Sequence, residues 1–137
     1  MNKNIDKLFI FSDGASRGNP GHSSVGVVLF DENNNIIKEI SKYIGYATNN
    51  VAEYLAVIYG LQEALYLKAK QITLYLDSQL VSKQLKKEYK VKDQNIRLFY
   101  GVASNFLKYF SLIDIKEIPR AKNKHADMLA NKALDMI

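Results

Sequence analysis

The sequence predicts an α/β fold: a mixed five-stranded sheet, three antiparallel strands followed by parallel ones, with helices on both faces. Three observations predict it. Short apolar runs bounded by turn residues alternate with longer stretches of helical periodicity. The first three runs follow one another as a meander, without an intervening helical stretch. The run Ile72–Leu76 is apolar on both faces, as strands of parallel sheets are.

Leu8–Phe11 is stopped by Ser12-Asp13-Gly14 and predicts a buried first strand. Ser24–Phe30 predicts the second. After the turn Asp31-Glu32-Asn33-Asn34-Asn35, the alternation of Ile36–Tyr43 predicts the third. Asn49-Asn50 opens a long helix over Val51–Lys68, with Asn50 as its expected N-cap. Ile72–Leu76 is the fourth strand, followed by a short helix from Ser78 to Lys87 and a longer one over Asn95–Phe110. Leu112–Ile118 is the fifth strand, ended by Pro119, and Asn123–Met136 is the closing helix, with Asn123 at its expected N-cap. Glu88–Gln94, the most polar stretch, reads as a loop. Two helical stripes, Tyr54, Ile58, Leu61, Leu65 and Leu98, Val102, Phe106, Tyr109, read as packing surface rather than as platforms for bases.

With 137 residues, 47% hydrophobic and 24% charged, residues 1–137 fit one domain with its own core. This composition excludes a collagen-like repeat and a disordered chain. The absence of Cys excludes a disulfide scaffold, a thiolate metal site and a cysteine nucleophile. After Met1–Lys7 the apolar run is too short for a leader core or a membrane span, so a cytoplasmic protein with no membrane contact is expected. A monomer is the default expectation. The net charge of +5, from 19 Lys and Arg against 14 Asp and Glu, favours a polyanionic partner. Lys83, Lys86, Lys87, Lys90 and Lys92 crowd a stretch with one acid, Glu88, and a second cluster holds Lys116, Arg120, Lys122 and Lys124.

Four carboxylates stand where a charge is costly. Asp13 and Asp77 end apolar strands, and ligands of open α/β sheets bind beyond the carboxyl ends of parallel strands. Glu53 is the only charge between Val51 and Gln62, in a helix apolar nearly all round. Asp127 sits between Ala126 and Met128-Leu129-Ala130. Clustered carboxylates repel unless cations lie between them, and an all-oxygen set suits Mg²⁺ or Mn²⁺ rather than Zn²⁺. A pair of such ions is a standard device for in-line displacement at a phosphodiester.

Four ordered blocks span nearly the whole chain: Asp13-Gly14-Ala15-Ser16-Arg17-Gly18-Asn19-Pro20-Gly21, Thr48-Asn49-Asn50-Val51-Ala52-Glu53, Leu76-Asp77-Ser78-Gln79 and Pro119-Arg120-Ala121-Lys122-Asn123-Lys124-His125-Ala126-Asp127. In these blocks the chain resembles ribonuclease H of type 1. The resemblance implies a metal-dependent endonuclease that cuts the RNA strand of an RNA–DNA hybrid duplex and leaves 5′-phosphate and 3′-hydroxyl ends. It implies two Mg²⁺ ions, replaceable by Mn²⁺, on Asp13, Glu53, Asp77 and Asp127. Minor-groove contacts would come from Gly14, Ser16, Asn19, Asn49, Asn50 and Gln79, and a DNA-strand phosphate would meet Thr48 and Asn19. Hydroxyls and amides suit that task because they donate and accept without favouring a base.

The chain departs from some family members. Ser78 to Asn95 is too short for the long basic insertion that they carry, and the lysines from Lys83 to Lys92 are its candidate substitute. His125 stands two residues before Asp127 on the same helix and so does not match a loop histidine. Arg120 is the candidate assisting cation, with a structural ion pair as the competing role. Two other functions remain open at this point: a non-catalytic nucleic-acid-binding module, and a nuclease or strand transferase of the same superfamily acting on DNA.

Overall fold

The computed structural model describes residues 5–137. Residues 1–4, part of the start read above for a leader, lie outside them. The elements run β1 (Lys7–Gly18), β2 (Gly21–Phe30), β3 (Ile36–Ala47), α1 (Asn49–Tyr66), β4 (Gln71–Leu76), α2 (Gln79–Leu85), α3 (Gln94–Leu107), β5 (Leu112–Glu117), a 3₁₀ turn (Arg120–Lys122) and α4 (Lys124–Asp135). The sheet order is β3-β2-β1-β4-β5. Pairing is antiparallel from β3 to β1 and parallel from β1 to β5. The expected topology is the observed one, and among the described residues no helix is long and apolar enough to cross a membrane.

The first strand departs from its expected boundary. Asp13 does not end β1; the strand continues to Gly18 as one arm of a hairpin with β2, from Phe9↔Phe30 to Gly18↔Gly21. The parallel partner stops sooner, because the last β1–β4 pair is Phe11↔Tyr75. Beyond that pair β1 has a neighbour on one side only. Asp13 therefore sits at the fork where the two halves of the sheet part, close to Asp77 at the end of β4.

Successive residues of a strand face opposite sides of the sheet, and β2 shows what each side holds. Val25, Val27 and Leu29 are fully buried in the core that α1 shares with Leu8, Ile10, Leu74 and Leu76. Ser24 and Gly26 face α4, where Ser24 Oγ donates to the Ala130 carbonyl at 2.5 Å. Gly26 lets α4 lie against the strand backbone, since a Cβ there would collide with the Ala126 carbonyl oxygen and the Ala130 amide. Helices thus cover both faces. The helix stripe Tyr54, Leu61 is fully buried, but Leu98 and Tyr109 are 71% and 70% exposed. The buried residues of α3 are Ile96, Ala103 and Leu107, and Phe106 of the expected stripe packs against the core with them.

Candidate active site

Each carboxylate is placed by a different element. Asp13 comes from the fork in β1, Glu53 from the second turn of α1, Asp77 from the residue after β4 and Asp127 from the first turn of α4. The cap of α1 is Thr48, not Asn50: Thr48 Oγ1 accepts from the Val51 amide at 3.3 Å. That shift leaves Asn49 and Asn50 in the helix, where the Asn49 N–H donates to Asn19 Oδ1 at 3.0 Å and ties the hairpin turn to the helix start. Gly14 permits the close approach of β1 to α1, and its N–H donates to Glu53 Oε1 at 3.1 Å.

Asn123 does not cap α4 with its side chain either. Only 1% exposed, it donates through Nδ2 to the Ser12 carbonyl at 2.9 Å and to Asp77 Oδ2 at 3.1 Å. It fastens the α4 junction to β1 and holds the Asp77 carboxylate. Asn123 does stand at the expected N-cap position of α4, but its side chain serves the β1 fork and Asp77 instead of the helix end.

Ligand oxygens of Asp13, Glu53 and Asp77 lie within 4.8 Å of one another. Asp127 is outside this cluster but lines the same cleft of about 310 Å³, with its Oδ1 and main-chain carbonyl accepting from Asn131 Nδ2. Gly14, Ser16, Asn49 and Arg120 also line it, as does Arg17, which sequence reasoning left without a role. Ser16 Oγ is 2.6 Å from Ser23 Oγ. Asn19, Thr48, Asn50 and Gln79 stand outside the wall. Asn19 and Thr48 adjoin it through Asn49, while Asn50 and Gln79 occupy the first turns of α1 and α2. Arg120 is exposed, with no ion pair among the described residues, so its expected structural alternative is not realised. His125 points elsewhere, 2.6 Å from Glu39 Oε2.

Burial, then the Asp77 charge, pushes Asp13 from its ordinary 3.8 up to about 7; Asp127 adds to the rise and the neighbouring Glu53 carboxyl opposes it. Glu53 is held well above the usual carboxylate range, first by burial and then by Asp13 and Asp77. Its Oε2 is sealed from solvent with no hydrogen-bond partner, a costly state for a carboxylate unless a cation completes it. The sign for stability follows from the raised pKa. The folded state holds the Asp13 proton where the unfolded chain has lost it, so stability falls as pH climbs from about 4 to about 7. Asp13→Asn should therefore gain on wild type across that window in metal-free buffer, by at most about 1.4 kcal/mol per pH unit. Denaturant midpoints at three pH values check this; a constant difference between the two proteins would contradict it.

A reverse transcriptase-like family model matches residues 11–133. The chain is 43% identical over 129 residues to ribonuclease HI of Halobacterium salinarum, covering 94% of this chain and 65% of that protein. The crystal structure of RNase H1 from that archaeon superposes with a TM-score of 0.92 at 43% identity, over 96% of this chain and 99% of that one. The chain belongs to the ribonuclease H family. A second ribonuclease H relative, LC11-RNase H1 isolated from compost, was solved in complex with RNA/DNA hybrid. It matches with a TM-score of 0.88 at 36% identity, over 94% of this chain and 97% of that one. A bifunctional protein of Mycobacterium tuberculosis is 40% identical over 130 residues. The chain spans 36% of the length of that protein and of the other first curated relatives it matches. Use of divalent metal goes with the ribonuclease H family, and the acidic cluster suits it.

Proposed function

We propose that this chain is an endoribonuclease that hydrolyses the RNA strand of RNA–DNA hybrids and leaves 5′-phosphate and 3′-hydroxyl ends. The convergence of Asp13, Glu53 and Asp77 oxygens within 4.8 Å, in a cleft that Asp127 also lines, carries this reading. The donor set fits hard divalent cations: every ligand is an oxygen, and the sealed Glu53 Oε2 lacks a partner. Asp13, Glu53, Asp77 and Asp127 would hold two Mg²⁺, with Mn²⁺ as substitute. Ions bound there supply an activated water and a counter-charge for the leaving oxygen.

The chain's own groups do the rest. Gly14 N–H orients Glu53, and Asn123 fixes Asp77. Gly14, Ser16 and Asn49 on the cleft wall, with Asn19, Asn50 and Gln79, present donors and acceptors to the 2′-hydroxyls that distinguish RNA from DNA. Thr48 and Asn19 flank the position proposed for a DNA-strand phosphate. Arg120, on the cleft wall, would offset charge at the scissile phosphate. Exposed Lys86, Lys87, Lys90 and Lys92, free of ion pairs among the described residues, would grip the backbone. The same reading takes residues 1–137 as one domain that acts as a cytoplasmic monomer.

Labelled hybrid, duplex RNA, duplex DNA and single strands, each incubated with Mg²⁺, Mn²⁺ or chelator, test the proposal. Cleavage of the hybrid RNA strand with either metal and none with chelator is expected. Cleavage of duplex DNA alone would favour a DNA-directed nuclease, and no cleavage would favour a binding module. Arg120→Ala should lower kcat about 10- to 100-fold, while an exposed cation contributes no more than about 0.5 kcal/mol to stability. An equal loss in melting temperature and rate would instead give Arg120 a structural role.

A further inference from the structure

Tyr54 follows Glu53 in α1 and is fully buried, yet the reaction proposed above does not use its hydroxyl. That hydroxyl donates to Gln84 Oε1 at 2.6 Å. Gln84, 2% exposed at the inner end of α2, donates in turn through Nε2 to the Lys90 carbonyl at 3.3 Å. The direction of this chain is fixed: a carbonyl only accepts, so the amide nitrogen must face Lys90 and the amide oxygen must face Tyr54. Burial pushes the Tyr54 hydroxyl above its ordinary pKa, which keeps it a donor.

A buried amide costs free energy unless it is bonded, and its neighbours on α2, Val81 and Leu85, are apolar. What the amide adds is a fixed point for the stretch after α2. That stretch is ordered in other ways too. Lys87 takes a left-handed conformation at φ 65°, Lys83 pairs with Glu88 at 3.8 Å and lies over the Tyr89 ring, and Val91 packs against the core. Its exposed side chains are mainly uncompensated lysines: Lys86, Lys87, Lys90 and Lys92.

We propose that Gln84, held by Tyr54, is a positioning residue that presents the lysines of residues 86–92 as a preformed cationic surface for the substrate's phosphate backbone. A preformed surface binds without the ordering loss of a loose loop. The relay begins one residue after Glu53 and ends in the loop that follows the Asp77-bearing segment, so grip and cleft share one frame. The inference rests on the hybrid-cleaving reading, deepening how that substrate is held.

Gln84→Met keeps the volume and removes the amide; Tyr54→Phe removes only one hydroxyl and serves if the first variant does not fold. Hybrid cleavage is measured from 50 to 300 mM salt, beside wild type and a variant with Lys86, Lys87, Lys90 and Lys92 all changed to Gln. Each relay variant should raise KM about 5- to 10-fold, keep kcat within about twofold, and flatten the plot of log KM against log salt by about one unit. Lost thermal stability with KM and salt slope unchanged would make the relay purely structural and overturn the proposal. If the lysine variant flattens the slope and the relay variants do not, positioning by Gln84 fails while the substrate reading stands. If wild type does not cut the hybrid at all, the substrate reading itself fails.

Discussion

Asp77→Asn should abolish metal-dependent cleavage of a hybrid, with a fall in kcat of about 10³-fold or more, while the fold persists. The size follows from the several kcal/mol of charge stabilisation that a metal site contributes, at about 1.4 kcal/mol per tenfold. Persistence of the fold follows from the surroundings. Asp77 is half-buried, and its hydrogen bond is one that a carboxamide oxygen can accept equally from Asn123 Nδ2. Removing a charge from beside Asp13 and Glu53 also relieves repulsion. Cleavage assays and circular dichroism on the purified variant decide it; a rate near wild type would remove Asp77 from the chemistry.

Gly14→Ala should damage both stability and rate, although the change adds one methyl. Its Cβ would stand 2.5 Å from the Ala52 carbonyl oxygen and 2.5 Å from the Glu53 amide. Both are backbone atoms, so no rotamer change relieves the contact. The start of α1 must move, and it carries Glu53 away from the fork in β1. Overpacking of this kind costs about 1–3 kcal/mol, and a displacement near 1 Å in a catalytic group costs about 10²-fold in rate. Melting curves and kcat measured together check it. Wild-type values for both would mean that β1 and α1 do not approach as closely as described.

How much of this was legible in the sequence depends on what holds each element. Strands held by apolar side chains, such as Leu8–Phe11 and Ile72–Leu76, announced themselves. The outer half of β1 did not. Asp13-Gly14-Ala15-Ser16-Arg17-Gly18 is polar and small, and backbone pairing with β2 makes it a strand. The second stripe misled in part: Phe106 packs against the core, but close packing turns α3 toward Ala103 and leaves Leu98 exposed, and Tyr109 lies beyond the end of the helix.

The site divides the same way. Asp13, Glu53 and Asp77 could be singled out because a charge in apolar surroundings is anomalous in one dimension as well as in three. Asn123 could not, since an Asn before a helix is an ordinary cap, and only the fold brings its amide to Ser12 and Asp77. Gln84 gave no sign, because a glutamine among lysines looks like solvated surface until burial is known.

Anomalous diffraction from a crystal grown with Mn²⁺ and a short hybrid addresses the metal assignment most directly. Two peaks in contact with oxygens of Asp13, Glu53, Asp77 and Asp127 are expected, and they should vanish in the Asp77→Asn protein. Manganese bound elsewhere, or no peak within reach of Glu53 Oε2, would contradict the account.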